Sequence, residues 1–366
     1  MNTMQQITQY ILRSTMEGRI DREMGVQILK RLTAKREQTE IAIIGMECTF
    51  AQARNRGEFW QQLMTGRASI RSLPLARAHQ VEDALGIPRS IGSADYFSPM
   101  GYLDQIDEFD AAFFRISPKE ALAMDPKQRI FLQVLYGAVE DAGYAGAGFT
   151  GSRTGVFVGV NHLNDMEFPY KTFTDGSGMV AQTGSMPGLL AGRASYLFDL
   201  GGPAVVFDTA CSSSLVALQA ACESLHKGEC EMAVAGGVNV SIYARGETKF
   251  DSVEAADSQV RTFDRGAHGT NWAEGAGAVL LKPLEKAITD GDHIYAVVKS
   301  VAANNDGATN GVTAPSAAAQ ERVLVDAWQQ AKIDPVELGY IEAHGIGTLV
   351  GDQIELKGLT SAFRKY

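Results

Sequence analysis

Residues 204–228 read AVVFDTACSSSLVALQAACESLHKG, and this stretch decides the fold. AVVFD is a short apolar, β-branched run that fits a buried strand. Three serines then supply the first turn of a segment in which Leu215, Leu218, Cys222 and Leu225 recur at helical spacing. A strand, a sharp turn and a helix put Cys211 at a strand's carboxyl end, at or just before a helix start, as in a nucleophile elbow. Unpaired N–H groups at a helix start favour a thiolate and can hold an oxyanion on an attacked carbonyl. Position alone leaves two readings open: a nucleophile, or a small thiol packed beneath a helix. Cys48, Cys222 and Cys230 take the second.

Working outward, similar runs recur: IAIIG (41–45), GVFVG (155–159), MAVAGG (232–237), AVLLK (278–282) and YAVVKS (295–300). Helical patterns such as QRIFLQVLYGAVEDAG lie between them, which predicts an α/β fold. The rhythm returns in the helix AAAQERVLVDAWQQA, the strand LGYIEAH and the helix GDQIELKGLTSAF. His344 ends that last strand, and ligands collect at strand ends in the crevice of an open α/β sheet, so Cys211 and His344 would face one another. Taken alone, a single histidine reads more readily as a satisfied structural residue. Asp352 and Glu355, near the start of the last helix, read as ligands of backbone or of neighbouring charges rather than as acid–base groups.

Residues 1–38 differ from the rest. Ile7, Tyr10 and Ile11, then Val26, Ile28, Leu29 and Leu32, sit near helical spacing on either side of EGRID, where Gly18 ends one helix and Asp21 caps the next. A helical hairpin this small must dock, either as a linker leading into the main domain or on a partner protein.

Composition narrows the function. With 366 residues, 45% of them hydrophobic, the chain can bury a sizeable core. A formal charge of −10 offers no broad basic surface for nucleic acid. No apolar run approaches the roughly 18 residues a membrane span needs and the start lacks a signal pattern, so a cytoplasmic protein is expected. The four cysteines show no CxxC pairing and the six histidines no HExxH, so neither a disulfide scaffold nor a metal is expected.

DTACSSSLVALQAAC and EAHGIGTLVGDQIE resemble the two signature segments of β-ketoacyl synthase (ketosynthase) domains of modular polyketide synthases. The likeness continues through MDPKQRIFLQVLYGAVEDAG, GVFVGV, GECEMAVAGGVNV, NNDGATNGVTAPS and QERVL, covering residues 39–366 in order. It implies a thiolase-like fold of two related α/β halves in αβαβα layers: an amino-terminal half of about 39–290 carrying Cys211, and a carboxyl-terminal half from about 291 carrying His344. It implies a homodimer, and a reaction in which Cys211 takes an acyl group from the phosphopantetheine thiol of an acyl carrier protein. A malonyl-derived carbanion then attacks the held thioester, with His344 at the malonyl carbonyl. No cofactor bound by this chain is implied.

The sequence departs from the family in places. The family's second histidine, in a segment resembling NIGH, and the lysine before it do not occur by residue 366; His79, His162, His226, His268 and His293 lie in other contexts. The resemblance therefore implies that the second half is incomplete here. The expected partners include a complementary carboxyl-terminal ketosynthase fragment or a neighbouring synthase polypeptide. Two alternatives stand beside condensation: a gatekeeping homologue that only transfers acyl groups, and a non-enzymatic half of a split enzyme. HGTGT appears as HGIGT, with Ile346, and GDPIE as GDQIE, with Gln353. Thr270, Asn271 and Trp272 are atypical before the AEG segment, a change expected at the floor of the acyl pocket.

Overall fold

The computed structural model describes residues 3–33, 39–85, 97–146, 148–161, 178–241 and 253–366. His162 lies outside the described residues. The chain divides into two compact units, Met1–Glu40 and Ile41–Tyr366.

The first unit is a helical hairpin, α1 (Thr3–Met16) and α2 (Arg22–Thr33). Gly18 turns the chain at φ +72°, and the Asp21 carboxylate accepts the Glu23 and Met24 N–H groups at 2.9 and 3.2 Å, capping α2 as its residue type predicts.

The second unit runs β1 (Ile41–Phe50), α3 (Arg56–Thr65), α4 (Leu75–Leu85), α5 (Pro118–Ala123), α6 (Pro126–Asp141), β2 (Thr154–Val160), α7 (Gly178–Ser185), α8 (Leu189–Leu197), β3 (Ala204–Phe207), α9 (Ser213–Lys227), β4 (Met232–Asn239), β5 (Gly275–Pro283), α10 (Leu284–Asp290), β6 (Ala296–Val298), α11 (Ala317–Ala331) and α12 (Leu349–Lys365). The strands form one six-stranded sheet in the order β3-β2-β4-β5-β1-β6. β2 runs parallel to β3 and β4, whereas β4–β5, β5–β1 and β1–β6 are antiparallel.

Successive strand residues point to opposite faces, and the core follows that alternation. Val156, Val158, Val234 and Leu280 pack with Phe131, Leu132, Leu135 and Ala138 of α6. Phe157, Ala233, Ala235 and Leu281 pack with Ala217, Ala221, Cys222 and Leu225 of α9. The sheet is thus covered by α6 on one face and by α9, the helix that begins just after Cys211, on the other.

β1 explains the glycine that ends IAIIG. A Cβ on Gly45 would lie 2.3 Å from the Ala138 carbonyl oxygen and 2.7 Å from the Ala142 Cβ, so β1 and the end of α6 touch through backbone. Gly45→Ala must push strand and helix apart and is expected to cost about 1–3 kcal/mol. A urea midpoint equal to that of the unsubstituted chain would contradict this packing.

The carboxyl-terminal part differs from the sequence reading. YAVVKS yields a strand of three residues, β6, which extends the sheet beside β1. LGYIEAH forms no strand: residues 339–348 run without regular structure between a 3-10 turn at Pro335–Glu337 and α12. A strand needs a neighbour for its peptide groups, and no strand among the described residues pairs with this segment. α11 and α12 pack on each other through Val325, Trp328 and Ala362. The described residues therefore show helix, sheet and helix layers around a single sheet.

Candidate functional site

The loop between β3 and α9 forms a tight knot. Ala210 adopts φ +55°, a left-handed conformation unusual outside glycine. A 3-10 turn over Ala210–Ser212 leads directly into α9. Neither the turn nor α9 has a side chain capping its amino terminus, whereas Asn55, Ser117, Asp125, Ser316 and Thr348 cap other helices. The serines instead bond backward: Ser213 Oγ accepts the Thr209 N–H at 2.8 Å and donates to the Ala210 carbonyl at 2.7 Å, and Ser212 Oγ donates to the Thr209 carbonyl at 2.9 Å. The helix start keeps its N–H groups free of side-chain caps, which suits a site where negative charge develops.

Cys211 is exposed, whereas Cys48, Cys222 and Cys230 are buried. Cys211 lies on the wall of an open, largely apolar cavity of about 1020 Å³ over the face of β1, β4 and β5, with Phe59, Trp60, Leu215 and Leu218 on its sides. Trp272, the atypical residue before AEG, lines the same cavity and donates its Nε1–H to Glu254 at 2.7 Å.

The other thiols are inert by environment. Burial, with the Glu47 charge adding to it, pushes the Cys48 thiol up to about 11, and burial does the same at Cys222. Burial also raises Cys230. At pH 8 a thiol of pKa near 11 is about one part in a thousand thiolate. Brief iodoacetamide treatment of the native chain at pH 8 is therefore expected to add one group, on the peptide carrying Cys211. Unfolding should release the other three. A native adduct on Cys48 or Cys222 at a comparable rate would contradict this assignment.

His344 is exposed on a second loop and is not among the residues lining the cavity. Two carboxylates of α12 hold the backbone of its loop. Glu355 accepts the N–H groups of His344 and Gly345 at 2.6 and 2.8 Å; Asp352, buried, accepts those of Gly347 and Phe263 at 3.0 and 2.7 Å. Both bind backbone, as the sequence suggests for acids at a helix start. Thr262 Oγ1 donates to the Gly345 carbonyl at 2.5 Å, and the Gly269 N–H donates to the Gly347 carbonyl at 2.9 Å, so the 262–269 segment braces the His344 loop. His268 belongs to that brace, its ring nitrogens 2.8 Å from the Gly266 carbonyl and 3.0 Å from Asp257 Oδ1. Ile346 lies against Gly351 in the first turn of α12, while Gln353 is exposed.

Sequence reasoning missed one buried pair. Glu274, at the entry to β5, and Arg77, on α4, form a buried bidentate ion pair, 197 positions apart. No periodicity signals such a pair. Among the described residues no cluster of three His, Cys, Asp or Glu is placed to hold a metal ion, and no helix is long and apolar enough to cross a membrane.

Comparison with known proteins identifies the family. The model of the "Beta-ketoacyl synthase, N-terminal domain" matches residues 38–287, and that of the "Beta-ketoacyl synthase, C-terminal domain" matches residues 295–366. Polyketide synthase PksL of Bacillus subtilis is 42% identical over 345 residues, which is 90% of this chain and 7% of that protein. ThaG of Burkholderia thailandensis is 42% identical over 325 residues, 88% of this chain and 6% of that protein. The oxazolomycin ketosynthase domain OzmH KS7 of Streptomyces albus superposes with a TM-score of 0.79 at 38% identity, covering 90% of this chain and 56% of that one. The ketosynthase from module 6 of the bacillaene synthase of Bacillus subtilis gives 0.76 at 38%, covering 89% and 54%. The chain thus spans about half of the solved ketosynthases and a small part of the curated synthases. Two family models in tandem, relatives above 40% identity and a shared thiolase-like fold lead to one assignment: this chain belongs to the β-ketoacyl synthase family, among the ketosynthases of polyketide synthases.

Proposed function

We propose that Cys211 accepts an acyl group from the phosphopantetheine thiol of an acyl carrier protein and presents it for decarboxylative condensation. In the first step the Cys211 thiolate attacks the acyl thioester carbonyl. The oxyanion collapses, an S–acyl bond to Cys211 forms and the carrier thiol leaves. In the second, a malonyl-type extender loses carbon dioxide, and its carbanion attacks the Cys211 thioester, releasing Cys211 and leaving a β-ketoacyl chain two carbons longer. His344 donates to the extender's thioester carbonyl as enolate charge builds. The observation that carries this reading is Cys211 itself, the exposed thiol at an uncapped helix start on the wall of an apolar cavity.

A second reading, acyl transfer without condensation, is favoured by one observation: His344 lies outside the cavity lining that includes Cys211. Under either reading the chain works with carrier proteins and as a homodimer, and residues 1–38 lead into the main domain as a linker or dock it to a neighbouring synthase polypeptide.

The test is intact mass after incubation with a simple acyl thioester, followed by peptide mapping. One acyl group on the Cys211 peptide supports acyl transfer; an unchanged mass refutes it. Added malonyl thioester then separates the readings. Loss of the Cys211 adduct with release of a β-keto product means condensation, and a persistent adduct means transfer alone.

A further inference from the structure

Three serines follow Cys211, yet none caps α9. Ser213 is the most enclosed of them, 5% exposed, and its hydroxyl spans two peptide groups just before the cysteine, accepting from Thr209 N–H and donating to the Ala210 carbonyl. Between those contacts lies the bond that sets Ala210 at φ +55°. An L-residue adopts that conformation at a steric cost and keeps it only where its surroundings enforce it. Ser213 is itself fixed from below. A Cβ on Gly159 of β2 would lie 2.6 Å from the Ser213 carbonyl carbon and 2.8 Å from the Ser213 Cβ, so the strand's bare backbone presses on the first turn of the helix.

We propose that Ser213 is a positioning residue for Cys211: its hydroxyl holds Ala210 in the left-handed turn that sets the thiol at the start of α9, which carries no side-chain cap. The inference rests on Cys211 being the acyl acceptor. Attack on a thioester needs the sulfur and the oxyanion donors in register, whereas alkylation by iodoacetamide needs the sulfur alone. Loss of register therefore separates two rates that general unfolding would change together.

The experiment compares Ser213→Ala with the unsubstituted full chain by the initial rate of acyl uptake from a simple thioester and by the rate of iodoacetamide alkylation at Cys211. Acyl uptake is expected to fall between about tenfold and about a hundredfold, with alkylation within about threefold. Adding Ala210→Gly to Ser213→Ala supplies a residue that takes positive φ without steric cost, and should recover at least about threefold of the lost uptake. Ala210→Val attacks the same turn from an exposed position and leaves Ser213 intact. A β-branched residue resists positive φ, so this variant should show the same split of rates even if Ser213→Ala does not fold.

Full uptake by Ser213→Ala and Ala210→Val overturns the inference, as does a parallel fall of uptake and alkylation or the absence of recovery with Ala210→Gly. An unsubstituted chain that alkylates at Cys211 but takes no acyl group overturns the acyl-acceptor reading, and this inference with it. A chain that acylates normally and is indifferent to these substitutions overturns this inference alone.

Discussion

A Cys211→Ser chain is expected to take up an acyl group from a simple thioester about a thousandfold more slowly than the unsubstituted chain, or slower still, and Cys211→Ala to take up none. A free cysteine has a pKa near 8.5 and carries an appreciable thiolate fraction at pH 8, whereas a serine hydroxyl stays protonated and needs a base to take its proton. His344 does not line the cavity beside Cys211, so the serine would have no such help from it. The second half-reaction suffers as well, because an alkoxide is a poorer leaving group than a thiolate. Time-resolved intact mass gives the rates, and hydroxylamine distinguishes a labile thioester on Cys211 from a resistant ester on serine. Uptake by Cys211→Ala at the unsubstituted rate would place the acceptor on another residue.

The second large effect concerns stability. Glu274 has a fully buried side chain, and each of its oxygens accepts twice. Oε1 takes Arg77 Nη2 at 3.0 Å and the Ser241 N–H at 3.0 Å; Oε2 takes Arg77 Nη1 at 2.5 Å and the Leu103 N–H at 2.8 Å. Arg77 donates in turn to the Leu103 and Ser241 carbonyls at 3.0 and 3.1 Å. One carboxylate thus ties α4, the segment after Tyr102, the end of β4 and the start of β5, with Trp272 of the cavity wall two residues away. Glu274→Ala would leave a guanidinium and two N–H groups buried without their acceptor, and is expected to cost about 3–5 kcal/mol. Replacing both partners, Arg77→Met with Glu274→Leu, removes the charges together and should cost less than Glu274→Ala alone. Urea unfolding followed by tryptophan fluorescence is a suitable measurement, because Trp60, Trp272 and Trp328 all lie in the Ile41–Tyr366 unit. A double variant less stable than the single would mean that the pair contributes more than avoidance of an orphaned charge.

Much of this was legible in the sequence because it is local. Val156, Val158 and Phe157 alternate between the α6 and α9 faces as a strand's period requires, and Asp21 caps the second helix of the hairpin. Cys211 could be placed on a strand-to-helix turn from AVVFD and the spacing of Leu215, Leu218 and Leu225. Asp352 and Glu355 could be read as backbone ligands from their position at a helix start.

What the sequence could not supply depends on which distant segments meet. Alternating strands and helices do not reveal that β5 and β1 run antiparallel to their neighbours, because strand direction is set by where the chain re-enters the sheet. LGYIEAH has a strand's composition and forms none: a ladder needs a hydrogen-bonded partner, and no described strand pairs with it. Arg77 and Glu274 look like ordinary charges until folding brings them together out of water. The three serines after Cys211 could be assigned to a helix start by residue type. That Ser213 turns back to bond the Thr209 N–H and the Ala210 carbonyl is visible only in the fold, where Gly159 of β2 lies against that first turn. The sequence by itself thus determined most of the elements, their faces and the place of Cys211 among them, since these follow from the period and chemistry of neighbouring residues. Only the tertiary structure decided the partners, since a contact across many residues exists only once the core has excluded the alternatives.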